Sequence, residues 1–314
     1  MTTAPFQKRI EWIDQTRGIL FLFVILCHSK MATDWMKNIY EPIFLTGFFF
    51  LSGYLYKKRK IADQLRNIFN RLFIPTLIYS VLWGIIEILL TQSFNQGINT
   101  AINTAIGGDY IWFIPCLMLV EIYYTLVNYL SNKYVNIALI FIALISFYII
   151  TKLHINRGFW SWDVASYAIG SFALGNIFKP HLLKRRKAIT TIFIYLILCI
   201  ILGSIHLLKD IDMHLNQFNS PLAFLITSIL GCIAFTSIMQ YLPINRYIAE
   251  FGTYTLLLFP FHSLVLKLFI KILPQDIPFF SSGILLLMTI ITCFFIGRYT
   301  YKYLPILAGK KNFL

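Results

Sequence analysis

Predominantly apolar blocks recur along the whole chain, at roughly 12–28, 39–56, 72–91, 110–130, 135–151, 164–179, 189–208, 221–241, 251–272 and 282–304. Each comes close to the ~20 residues that a helix needs to cross the hydrocarbon core of a bilayer. The second and sixth blocks, with "PIFLTGFFFLSGYLY" and "SYAIGSFALGNIF", are rich in small residues that favour close helix packing over lipid contact. The pattern predicts an all-α polytopic integral membrane protein of about ten transmembrane helices around a polar central cavity. It reads as a single transmembrane domain over residues 1–314.

Composition supports the same class. Of the 314 residues, 58% are hydrophobic and 13% charged, and the mean hydropathy is +0.71. That is more apolar surface than a soluble core of this length would enclose. Segments 92–109 and 57–71 are the longest between blocks, and 57–71 is too short to fold alone. No signal peptide is expected, because the first block carries Arg17 and no small-x-small cleavage site follows it. Cys27, Cys116, Cys199, Cys232 and Cys293 all fall inside apolar blocks without a CxxC spacing, so they read as small core hydrophobes and not as metal ligands.

Charge then orients the chain. With an even number of spans both termini share one side, and with that side cytoplasmic the inner segments hold 20 of the 27 lysines and arginines. These are Lys8, Arg9, Arg17, six between 57 and 71, Lys133, five between 179 and 187, Arg246, and four from Arg298 onward. The asymmetry follows the positive-inside rule, and the cell's inner (plasma) membrane, with both termini cytoplasmic, is the expected location. It also accounts for the net charge of +14 without nucleic acid as a partner.

Two ionisable residues interrupt the first block, "RGILFLFVILCHS". Eleven residues separate Arg17 from His28, which is ~16 Å along a helix axis and almost a whole number of turns, so they share a face. Asp14, three residues before Arg17, lies on that face and is placed to orient its guanidinium. A snorkelling arginine and an interfacial histidine would give the same spacing. A water-accessible cavity explains the stripe better, because intramembrane charges normally face protein or a pathway.

The stretch "YKKRKIADQLRNIFNRLFIP" sets Ile61, Leu65, Ile68, Phe69 and Leu72 at helical spacing among Lys57, Lys58, Arg59, Lys60, Arg66 and Arg71. It predicts a basic amphipathic helix on the inner surface, attracted to anionic lipid headgroups. A cytoplasmic site for a phosphorylated ligand is the functional alternative. Arg71 is its leading residue, four before Pro75 at the start of the next span.

Among other intramembrane polar residues, Glu121 is expected to face a cavity or a partner such as a histidine, or to serve in helix packing. His262 follows Pro260, which frees a backbone carbonyl and opens room for a pocket. Asp210, Asp212 and His214 read as a solvated outer loop and not as a metal cluster. Trp35, Tyr40, Tyr110, Trp112, Trp160 and Trp162 read as an interfacial aromatic belt, although such rings also stack on sugars.

Taken in order, "WIDQTRG" with "CH", "FFFLSGYLY", "NRLFIP", "WFIPCLMLVEI", "SYAIGSFALGNIF" and "FGTYTLLLFPFH" resemble the integral membrane proteins of acyltransferase family 3 over nearly the whole chain. The resemblance implies transfer of an acyl group, usually acetyl from acetyl-CoA, to a carbohydrate hydroxyl of a cell-envelope or exported glycan. It assigns the arginine and histidine of the first span to Arg17 and His28, the arginine before the proline to Arg71, and a late-span histidine to His262. The sequence departs from the family in two places. A second arginine common three residues before Arg71 is Ile68 here, and no C-terminal SGNH-type hydrolase domain follows, so the chain is expected to complete the transfer itself or with a separate partner.

The catalytic candidates are therefore His28, Arg17, His262 and Glu121. Those for holding the acetyl-CoA donor are Arg17, Arg71, Lys57, Lys58 and Arg59. Expected partners are acyl-CoA, a carbohydrate acceptor and membrane lipids, with no metal. His28 is placed either to deprotonate the sugar hydroxyl or to take the acyl group covalently. A transporter or flippase for a glycan or acyl donor, working without chemistry, is the alternative.

Overall fold

The computed structural model describes residues 10–29, 31–129, 134–155, 157–179, 182–272 and 278–309. Lys8, Arg9, Lys133, Lys310 and Lys311, counted above among the inner charges, lie outside the described residues. Every apolar block corresponds to a helix or a broken helix: α1 (Glu11–His28), α2 (Asp34–Leu55), α3 (Ile61–Ile68), α4 (Ile74–Thr91), α5 (Phe94–Gly107), α6 (Phe113–Tyr129), α7 (Val135–Lys152), α8 (Trp162–Phe178), α9 (Arg185–Ser204), α10 (Pro221–Met239), α11 (Arg246–Gly252), α12 (Thr255–Leu258), α13 (His262–Ile272) and α14 (Pro278–Tyr303). Among the described residues the one β-type pairing is an isolated bridge between Asp212 and Gln217.

Among the described residues, five helical segments are long and apolar enough to cross a membrane: Ile61–Thr91, Val135–Lys152, Arg185–Ser204, Pro221–Met239 and Ser282–Tyr303. The faces of α7 and α9 carry exposed Phe141, Ile145, Phe193 and Ile197, as a lipid boundary requires. Helices α1, α2, α6 and α8 form the interior, and they carry buried polar groups that would be costly against lipid, among them Asp14, Thr46, Glu121 and Asp163. Small residues bring these inner helices together. A Cβ on Gly53 of α2 would fall 1.8 Å from the Phe172 carbonyl oxygen of α8, and one on Gly175 of α8 would fall 1.9 Å from that of Phe50. The second and sixth blocks thus pack on each other through their small residues, as their composition predicts.

The basic segments gather at one end. Lys179 donates to the Tyr56 carbonyl (3.0 Å), and Gln15 at the start of α1 donates to the Pro243 carbonyl and accepts from the Asn245 amide. At the opposite end Trp160 donates to the Ala105 carbonyl and Arg157 to that of Gly107.

Three local features differ from the sequence expectation. The basic amphipathic helix and the following span are one continuous helical run, joined by a π turn at Phe69–Phe73. Pro75 has no amide proton for the Arg71 carbonyl, and the run closes instead with the Ile74 amide bonding Phe69 five residues back. Segment 92–109, expected as an outer loop, holds α5. Ser93 caps it by accepting from the Gln96 amide, and it folds back along α4 where Gly84 meets Gly97 and Ala101. Finally, block 251–272 is broken into the end of α11, then α12 and α13. Its second interruption lies at residues 259–261, around Pro260.

Candidate functional site

Helix α1 carries polar groups into two chambers. At the basic end, Arg17 lines a cavity together with Ser52, Lys57, Arg59, Arg71 and Glu121. That cavity continues into a second space where Arg17 and Arg71 meet Phe113 and Phe259. At the opposite end, His28 lines a cavity of about 750 Å³, its open mouth included, with His262, Tyr110, Trp112, Asp212 and His214. Phe113 and Phe259 line this chamber as well. Their rings stack at 4.3 Å and Phe48 sets its edge on Phe259 at 5.1 Å, so an aromatic partition separates the two chambers.

The basic chamber owes its charge to the π turn. In the Phe69–Phe73 segment Arg71 projects inward, and its Nη2 lies 2.5 Å from both carboxylate oxygens of Glu121 on α6. The Glu121 side chain is 5% exposed and that of Arg71 34%. The Arg71 Nε–H is buried and has no acceptor. Asp14 lies 3.8 Å from Arg17, as the i, i+3 spacing anticipates. Lys57 and Arg59 face this cavity, but Lys58 turns away and donates to the Asn128 carbonyl at the end of α6. Of the residues grouped for the donor, Lys58 is thus the one not brought to this cavity, because the C-terminal carbonyls of a helix attract a cation. Glu121 lines the basic chamber, and its partner there is Arg71 and not a histidine.

The break in the ninth span positions His262. Its Nδ1 lies 2.7 Å from the Phe259 carbonyl oxygen and 3.3 Å from that of Leu258. An N–H on Nδ1 satisfies these acceptors, which leaves Nε2 with a lone pair; that atom is buried without a partner. The His28 ring lies 5.4 Å away, centroid to centroid. Sequence reasoning paired Arg17 with His28 along one helix, and the structure adds His262 beside His28 from a distant helix.

Asp212 and His214, read from the sequence as part of a solvated outer loop, line the histidine chamber beside the end of α1. The Asp212 carboxylate accepts from the amides of His214 (2.8 Å) and Leu215 (3.1 Å). Asn216 donates to the buried Asp163 carboxylate at 2.6 Å, which anchors the turn to α8. His214 stacks on Trp112 at 4.9 Å. Burial, and next the positive charge of Arg157, hold its imidazole below the usual histidine range. No group of three or more His, Cys, Asp or Glu placed to hold a metal ion occurs among the described residues. Of the aromatic residues assigned to an interfacial belt, Tyr110 and Trp112 line the histidine chamber, and Tyr110 stacks on Trp83 at 4.1 Å.

These features define an all-α polytopic membrane protein with an arginine-lined chamber at one end, a histidine-lined chamber at the other, and one helix serving both. A family profile described as an acyltransferase domain, that of acyltransferase family 3, matches residues 10–298. The chain belongs to this family and is a membrane acyltransferase. No match was found among curated proteins or among solved structures.

Proposed function

We propose that the protein is an O-acyltransferase that takes an acyl group, acetyl in the simplest case, from cytoplasmic acyl-CoA and passes it to a sugar hydroxyl of a cell-envelope or exported glycan. The observation that carries this reading is that α1 places Arg17 in one chamber and His28 in the other, with Phe113 and Phe259 lining both. The helical rise between Arg17 and His28, ~16 Å, suits a donor with phosphates at one end and a thioester at the end of a long arm. Arg17, Arg71, Lys57 and Arg59 supply charge-assisted hydrogen bonds for the phosphates.

In the histidine chamber His28 takes the proton of the acceptor hydroxyl as its oxygen attacks the thioester carbonyl. The C–O bond forms, the C–S bond breaks, and the thiolate leaves to be reprotonated. The His262 Nε2 lone pair beside His28 favours the positively charged imidazolium that this step creates. Tyr110 and Trp112 offer flat faces on which a sugar ring packs.

The test is purified protein in lipid nanodiscs with acetyl-labelled acetyl-CoA and a panel of glycans. Label is expected to appear as an alkali-labile sugar ester. Donor left intact, with glycan moved across liposomes by the same preparation, would instead establish a transporter.

Two further outcomes are expected. Amine- and guanidine-directed labelling should reach segments 57–71 and 179–187 only from the cytoplasmic side, as their charge density requires; reaction from outside intact cells would invert the donor side. Arg17→Lys should lower kcat/KM for the donor by ~10-fold or more, because a point charge cannot reproduce the planar fork of a guanidinium. Unchanged donor kinetics would reduce Arg17 to a snorkelling cation.

A further inference from the structure

A third cavity lies between α7, α8 and α10, against α2, and it is lined almost entirely by apolar groups, with Ile140, Leu144, Leu174, Leu225 and Ile229 partly exposed along it. Of its four hydroxyls, those of Thr46, Ser228 and Tyr167 are already bonded within the protein, to the carbonyls of Pro42, Leu225 and Met213, and Ser171 is the fourth. A polar headgroup would find little to bond there, whereas a hydrocarbon chain would lose water or mobile lipid and gain packing.

The crevice and the site share a wall. Met213 lines both this cavity and the histidine chamber, one residue from Asp212 and His214. An unbranched thioether side chain is the kind of wall that yields to a ligand by changing rotamer. Above the crevice α7 and α10 meet through Phe147 and Phe224, whose rings lie 5.8 Å apart. Below that contact the lining covers residues 140–147 of α7 and 167–174 of α8, ~10 Å of helix in each case.

We propose that the acyl acceptor is a lipid-linked glycan: the first part of its apolar chain lies in the α7/α8/α10 crevice, and its sugar reaches past Met213 into the chamber of His28 and His262. The inference deepens the acyl-transfer reading and rests on it for the identity of the sugar-bearing end. The position of the crevice argues for this occupant over a phospholipid, since the Met213 side chain alone is common to it and the histidine chamber. An acceptor anchored in this way would enter sideways from the bilayer, with its hydroxyl already at the depth of the histidines.

Two measurements test it, one of them independent of catalysis. A polyprenyl-phosphate monosaccharide carrying a diazirine on its first isoprene unit is photolysed with the protein in nanodiscs, and the adducts are mapped by mass spectrometry. Adducts on α7 and α10 near Leu144 and Ile229, suppressed by the unlabelled compound and not by excess phosphatidylglycerol, are expected. Adducts spread over all lipid-facing helices, or suppressed equally by phosphatidylglycerol, would mean that the crevice holds bulk lipid and would overturn the proposal.

The second measurement compares acetyl transfer to the polyprenyl-linked sugar and to the same sugar on a water-soluble aglycone. Leu144→Trp and Ile229→Trp each fill the crevice from a partly exposed position, which limits the risk to folding. Each is expected to raise KM for the lipid-linked acceptor by ~10-fold or more, equivalent to about two buried methylene groups. KM for acetyl-CoA and for the soluble acceptor should stay within twofold. Equal effects on both acceptors, or none on either, would sink the idea. Absence of any transfer would count against the acyl-transfer reading, and the photolabelling pattern would still decide the crevice.

Discussion

Replacing His28 with alanine is expected to lower single-turnover acyl transfer by ~10²- to 10⁴-fold, the usual worth of a general base, and by more where the imidazole itself carries the acyl group. Folding and donor binding should survive. His28 ends α1, is exposed to its chamber, and makes no hydrogen bond to protein among the described residues, so its removal strands no buried partner. The donor phosphates are assigned to Arg17 and Arg71, on the other side of the Phe113 and Phe259 partition. His262 is the instructive contrast: 7% exposed and bonded through Nδ1 to Phe259, it shapes the break between α12 and α13, so His262→Ala should reduce stability together with activity. Donor binding by calorimetry and transfer by quenched flow on one preparation of His28→Ala make the check. Transfer within a few-fold of the parent would move the base assignment to His262.

What the sequence revealed was what depends on neighbours along the chain. Ten apolar blocks became helices because length and apolarity are local properties, and Arg17 and His28 fell on one face because helical rise and twist are fixed. The α5 helix was hidden by its asparagines and threonines. Ile98, Ile102 and Ile106 at four-residue spacing, behind the Ser93 cap, were its visible signal. The fracture at Pro260 was legible, whereas the one at Thr253 and Tyr254 was not, since no proline or glycine pair marks it. Long-range pairings left no trace. Arg71 and Glu121 are 50 residues apart, and nothing local says that they meet. Asp212 and His214 look solvated by composition, and long-range ties, from Asn216 to buried Asp163 and from Tyr167 to the Met213 carbonyl, hold their turn in place.

The Arg71 and Glu121 pair allows its structural and donor-binding roles to be separated by experiment. Arg71→Leu alone is expected to destabilise the protein by about 3 kcal/mol, the low end for breaking a buried ion pair, because Arg71 is a third exposed and water reaches its side of the contact. The cost arises on Glu121, whose carboxylate is 5% exposed and would lose its charged partner. Removing that carboxylate too, as Arg71→Leu with Glu121→Leu, should restore most of the loss, since apolar groups of similar size replace a buried pair at little net cost. Donor affinity should not return with stability. A charge-assisted hydrogen bond to phosphate contributes ~1.5–3 kcal/mol, so the stable double variant should bind acyl-CoA ~10- to 150-fold more weakly. Glu121→Gln alone should leave donor binding intact or tighter, because the guanidinium, whose Nε–H already lacks an acceptor, would no longer be shared with a carboxylate. Thermal unfolding in nanodiscs and donor calorimetry on the three variants read the two roles separately. A double variant that regains stability and binds acyl-CoA like the parent would show that Arg71 holds the π turn to α6 and nothing more.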